Sequence, residues 1–209
     1  MKRTLVLVLL TLSASMLCIQ AAHAQLTLVA QKVSLTDTTI SPADPSVLAI
    51  NDSAEIMAID VPKMPSSAYV LFSSNAFWEA ETTTAAPVRA LFRLRFVVSS
   101  PAMPPGVILR FTVPMADFRH SNNGNGESLE GGNTNDTEVI HREDFANFLL
   151  GENPGLLTEQ TAAQVADGMF KQGFHVSISA RLNSRNIIDA TVTNPNVAFF
   201  AEGAINEQR

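Results

Sequence analysis

The stretch that decides the fold is Phe174-His175-Val176-Ser177-Ile178-Ser179-Ala180-Arg181-Leu182. Apolar and polar residues alternate through it without a break. That puts Phe174, Val176, Ile178, Ala180 and Leu182 on one face of a strand, with His175, Ser177, Ser179 and Arg181 on the other. A helix would scatter the same apolar residues around its circumference. The pattern recurs over residues 87–98, where Val88, Ala90, Phe92, Leu94, Phe96 and Val98 oppose Arg89, Arg93 and Arg95. It recurs again over residues 106–115, with Leu109, Phe111 and Val113 against Arg110 and Thr112. Weaker strands are expected over residues 26–35, 54–61, 68–73, 187–193 and 197–204.

Breaks in the pattern fall where the chain cannot continue a ladder. Pro101, Pro104 and Pro105 interrupt residues 99–106, because proline has no N–H to donate. Short polar turns are expected over residues 182–187 and at Asn194-Pro195-Asn196. Two stretches change period instead. Phe145, Phe148 and Leu149 are spaced i, i+3, i+4 before Gly151, and a second helix is expected from Thr158, a good N-cap, to Phe170. Its buried face would hold Ala162, Val165, Ala166 and Met169. The expected fold is mainly β: a two-sheet antiparallel β-sandwich or jelly roll with a short helical insertion around residues 143–170. A transmembrane barrel needs outward apolar bands and aromatic girdles. One Trp, one Tyr and outward arginines on the best strands exclude it.

The N-terminus carries an address. Lys2 and Arg3 precede an uncharged apolar run over residues 4–19, and Ala22-His23-Ala24 supplies the small residues a signal peptidase reads. That run falls short of the ~20 apolar residues of a permanent membrane helix. A cleavable signal peptide is therefore expected over residues 1–24, followed by a single β-rich domain over 25–209 in the periplasm or outside the cell. Cleavage removes Cys18, the one cysteine, which rules out cysteine nucleophiles and thiolate metal sites in what remains. It also removes two cations, so the formal charge moves from −6 to −8. An acidic domain of this kind is not expected to bind nucleic acid, and Arg89, Arg93 and Arg95 make too short a basic stretch to reverse that.

Functional candidates are few. No Gly-x-Ser-x-Gly, Ser-x-x-Lys or His-Glu-x-x-His motif occurs. Residues 121–138 read as a polar, flexible Asn/Gly-rich loop. Asn123, Asn125 and Glu127 space oxygen ligands as a calcium loop begins, with Asp117 as an added ligand. His120 and His141 bracket that loop, and its closure would bring them together as metal ligands. Trp78, Phe77 and Tyr69 offer aromatic platforms for a carbohydrate, with Glu79 and Glu81 beside them at i, i+2. Residues 25–35 form a terminal strand ahead of Pro42 and Pro45, suited to pairing at home or to self-association by strand exchange. The leading expectation is an exported, non-enzymatic surface, matrix or ligand-binding component. The alternatives are an exported hydrolase acting on carbohydrate through Glu79 and Glu81 or through a His/Asp cluster near the polar loop, and a calcium-stabilised self-assembling surface protein.

Overall fold

A computed structural model describes residues 26–83, 85, 87–120 and 129–202. The expected signal peptide and the calcium-loop candidates Asn123, Asn125 and Glu127 lie outside the described residues. The chain runs β1 (Leu26–Val33), β2 (Thr38–Ile40), β3 (Ala49–Val61), β4 (Tyr69–Thr82), β5 (Val88–Ser99), β6 (Leu109–His120), β7 (Leu129–His141), α1 (Arg142–Glu152), α2 (Glu159–Gln172), β8 (Phe174–Arg185) and β9 (Ile187–Glu202). Two antiparallel sheets result. The first is ordered β1-β9-β4-β7, with β2 also on β9, and the second β3-β8-β5-β6. Among these strands the chain changes sheet at nearly every connection from β3 onward, β5–β6 being the hairpin exception. That strand order is a jelly roll.

The alternation read from the sequence is the alternation observed. Along β5 the even-numbered residues are buried and the odd-numbered ones face out, and β8 repeats this from Phe174 to Ser184. The two inner faces meet in a cluster of rings. Phe72 from the first sheet stands edge-on to Phe96 (5.0 Å) and Phe111 (5.5 Å) of the second, which stack on each other at 4.7 Å. Phe199 adds a fourth ring at 5.5 Å from Phe72. The series continues through Phe174 to Phe145 of α1 and Phe170 of α2, so the helices close one end of the sandwich.

Local chemistry explains the helical insertion. Thr158 accepts the Thr161 N–H as N-cap of α2, and Gly173 ends that helix at φ 83°, a left-handed position that favours glycine. Arg142 ties the insertion to the β3–β4 connection. Its guanidinium donates to the Ser67 carbonyl (2.6 Å), the Pro65 carbonyl and Asp167 (2.6 Å), and lies 4.7 Å from the Phe170 ring. Asn153, buried after α1, bonds both backbone groups of Ile108 at the entry to β6.

Three expectations are corrected. The polar loop does not extend to residue 138: residues 129–141 form β7, paired with β4 from Glu81↔Leu129 to Tyr69↔His141. Its ladder comes from β4, and its polar, exposed side chains suit a sheet edge, where they discourage pairing with another chain. Residues 182–187 are not a turn. β8 continues to Arg185, and Asn186 alone, at φ 58°, passes the chain to the other sheet. Asn194-Pro195 is a bulge inside β9, where the register against β4 shifts between Asn75 and Phe77. The N-terminal strand β1 pairs with β9 of its own chain.

Candidate functional site

Strand β4 carries the carbohydrate candidates, and its pleat divides them. Val70, Phe72, Ala76 and Ala80 point into the core, and Trp78 shares their parity. Its indole is half-buried, edge-on to Phe92 at 6.5 Å, and lies over Gly132 of β7. A Cβ on Gly132 would sit 3.0 Å from the indole nitrogen. Trp78 is thus a core ring covering an edge glycine, not an open platform. Phe77 is the platform. It faces out from the first sheet at 50% exposure.

Beside Phe77 lies a shallow depression of about 650 Å³, lined by Trp78, Glu79, Gly131, Asn133, Thr193 and Asn194 among others. Phe77 pairs with Asn133 on one side and Thr193 on the other, while Glu79 pairs with Gly131 and Thr191. With no side chain on Gly131, the floor beside Glu79 stays open. A Cβ there would come within 3.2 Å of the Trp78 carbonyl. Tyr69 does not join this group. It lies eight residues back along β4, roughly 26 Å at strand rise, and its ring meets His141 at 5.5 Å. Glu81 faces the same way as Glu79 but opposite Asp189, and does not line the depression. One carboxylate, an amide-rich rim and an aromatic face can hold a sugar ring. Glycoside hydrolysis needs a second carboxylate across the bond; Glu81, two residues further along the same face, lies outside the depression.

The proposed histidine site is taken apart by the same ladders. His120 pairs with Val88 at the start of β5, and Leu129 pairs with Glu81 near the end of β4, so both lie at the end of the sandwich away from the helices. His141 is twelve residues further along β7, on the order of 40 Å from Leu129 at strand rise. It therefore cannot share an ion with His120 or Asp117, because metal ligands sit ~2 Å from one centre. The error was to treat residues 121–138 as a closing loop when most of them form a full-length strand. His141 instead opens α1, its backbone N–H donating to Asp144 at 2.8 Å. The third histidine, His175, pairs with Asp60 at 2.7 Å. Among the described residues no three His, Cys, Asp or Glu side chains cluster to hold a metal.

Sequence reasoning missed the arginines. Arg89, Arg93 and Arg95 on β5 face out of the second sheet, and pairing adds others to them. Arg89 stands directly opposite Arg119 of β6 and Arg185 of β8, and Arg93 opposite Arg181. Among the described residues Arg110 alone of this face is ion-paired, to Glu152 at 2.5 Å. Burial, then the neighbouring charges of Arg181 and Arg110, pull Arg95 below the usual arginine range against the opposing pull of Glu152. The short stretch Arg89, Arg93 and Arg95 is therefore widened by Arg119, Arg181 and Arg185 from the neighbouring strands. The outward parity of Arg181 was legible in the sequence, but Arg185 lay in an expected turn, and the meeting of both with β5 depends on strand pairing.

No protein-family model matches the chain, and no curated protein matches it. Among solved structures it is similar to a chain from the structure of the infectious bursal disease virus Gx strain, at 6% identity and TM-score 0.49, over 87% of this chain and 33% of that one. A chain of the T13 particle of the same virus gives 9% identity and TM-score 0.24, over 82% and 35%. The chain spans about a third of the length of either. The jelly roll rests on the strand order, not on these likenesses.

Proposed function

We propose that the protein is an exported, non-enzymatic jelly-roll domain that binds saccharide at a cell surface or in a matrix, with the Phe77 depression as its contact site. The observation that carries this reading is the half-exposed Phe77 between Asn133 and Thr193, beside Glu79 and the open backbone of Gly131. A sugar presents a C–H face to such a ring and hydroxyls to the amides and carboxylate around it. The interior supports the same reading by elimination. The inner faces of the sheets are occupied by Phe72, Phe96, Phe111 and Phe199, so a ligand has to be met outside. Export rests on Lys2, Arg3, the apolar run behind them and Ala22-His23-Ala24.

The test is direct binding of a panel of neutral oligosaccharides, with hydrolysis followed in the same samples. Phe77→Ala should weaken the best ligand by about 10- to 100-fold, the equivalent of uncovering about 1.5–3 kcal/mol of apolar contact. Release of reducing ends that disappears with Glu79→Gln would refute the non-enzymatic reading. Unchanged affinity in Phe77→Ala would refute the site. Mass spectrometry of protein recovered from the envelope or medium should find an N-terminus at Gln25.

A further inference from the structure

The face of the second sheet sorts charge in a way that the composition hides. Three cross-strand pairs on it, Arg89 with Arg119, Arg89 with Arg185 and Arg93 with Arg181, place like charges directly opposite each other. Arg95 follows two residues beyond Arg93, opposite Thr112 and Ser179. Directly opposed like charges weaken a sheet. A sheet that carries three such pairs on one face is arranged for an anion from outside.

We infer that this face binds a linear anionic polysaccharide, carboxylated or sulfated, lying across the arginine rungs. The cations are all guanidinium. Lys32, Lys63 and Lys171 lie outside these strands, and the guanidinium fork bonds carboxylate or sulfate through two parallel N–H donors. Thr112, Ser177 and Ser179 are small, polar outward residues beside the arginines, while Leu91 between Arg89 and Arg93 and Val97 beyond Arg95 are apolar. The hydroxyls can donate to a saccharide, and the two apolar side chains can meet its C–H face. No Phe, Tyr or Trp side chain faces out from β5 or β8, and the outward His175 at the end of β8 is held by Asp60, so single-stranded nucleic acid finds no row of stacking platforms. Among the described residues no helix or ribbon stands on these central strands to enter a duplex groove. Asp117 of β6 and Glu55 of β3 lie at the two margins of the field and would limit its width. The surface is on the sheet opposite to Phe77, so the two binding readings fail independently.

The experiment measures affinity of the purified full protein for polygalacturonate and dextran sulfate, with neutral dextran and oligothymidylate as comparators, at low and high salt. Both anionic polysaccharides should bind, neutral dextran should not, and binding should fall steeply as salt rises. Affinity should drop about tenfold for each of Arg89→Gln, Arg93→Gln and Arg181→Gln, the loss expected for one charge-assisted contact. Phe77→Ala should leave it unchanged. Each glutamine variant should melt no lower than the parent, which separates lost binding from lost folding. Tighter binding of oligothymidylate than of either polysaccharide would overturn the inference. So would full affinity in the triple variant, or an arginine-dependent association of copies that leaves polysaccharide binding intact.

Discussion

If the arginine face is held against its own repulsion, removing one charge should stabilise the protein. Arg89 is the decisive position because it opposes two arginines at once, Arg119 and Arg185. For two exposed unit charges about 7 Å apart, each pair costs about 0.6 kcal/mol by Coulomb's law in water. That lies inside the roughly 0.2–1 kcal/mol expected for opposed like charges on a sheet. Arg89→Gln keeps most of the stem and removes the charge. It should gain about 1 kcal/mol at low ionic strength, a rise in Tm of about 2–4 °C for a chain of this size. In about 1 M salt the Debye length shrinks to about 3 Å and most of the gain should vanish. Thermal melts followed by circular dichroism at the two salt concentrations make the measurement. In an Arg185→Gln background the gain should fall by about half, since one of the two pairs has already gone. A lower Tm for Arg89→Gln, or an increase that salt does not touch, would refute the electrostatic reasoning. In that case the arginine stems would be contributing packing that outweighs the charge.

Other positions test the frame around the sites. Asn153→Ala should cost about 2–3 kcal/mol in chemical denaturation, because it strands both backbone groups of Ile108 and removes the bond to the Leu149 carbonyl. Gly132→Ala should force the indole of Trp78 off its seat at a cost of about 1–3 kcal/mol, and the shift is readable in the emission of the protein's one tryptophan. Asp167 supplies a pH test. The hydrogen bond from Lys171 holds its carboxyl below the usual aspartate range, opposed by burial and assisted by the charges of Lys171 and Arg142. A pKa lower in the folded than in the unfolded state stabilises the protein above the unfolded value of about 3.9 and loses that contribution as pH falls. The gap in Tm between the parent and Asp167→Asn should therefore be widest near neutrality and close as pH drops through about 4. A gap that stays constant would remove Asp167 from the acid response.

Much of the fold was written in local patterns, and what was missed depended on partners. β5 and β8 were legible because each buries one face along its whole length. α2 was legible because its caps Thr158 and Gly173 act within a few residues of themselves, whereas Gly151, expected to close the first helix, lies inside α1. β7 was not, since Leu129-Glu130-Gly131-Gly132-Asn133-Thr134-Asn135 has no buried alternation of its own and is ordered by the β4 ladder. That omission also produced the false histidine site, which needed His120 and His141 at the two ends of a closed loop. Trp78 was misplaced for a different reason. Its parity with Val70, Phe72 and Ala76 would have set it inward had the strand expected over residues 68–73 been extended to Thr82. The same extension puts Phe77 outside, where the depression is.

Net charge hides the arginine face for a reason of scale. A formal −6 sums over the whole chain, but a ligand at a surface experiences charges within about a Debye length, about 8 Å at physiological ionic strength. Packed sheets lie about 10 Å apart, with side chains beyond each, so the two outer faces are separated by more than two such lengths. Glu79, Glu81 and Asp189 face out of one sheet while Arg89, Arg93 and Arg181 face out of the other, and salt hides each group from the other. A jelly roll is well suited to this separation, because its period-2 strands send every second residue to a face that never meets its counterpart. Excluding anionic partners from an acidic total is sound when charges are mixed on the scale of screening. In this chain the arginines gather on one sheet, with Asp117 and Glu55 at its margins, so each face has to be assessed by its own charge.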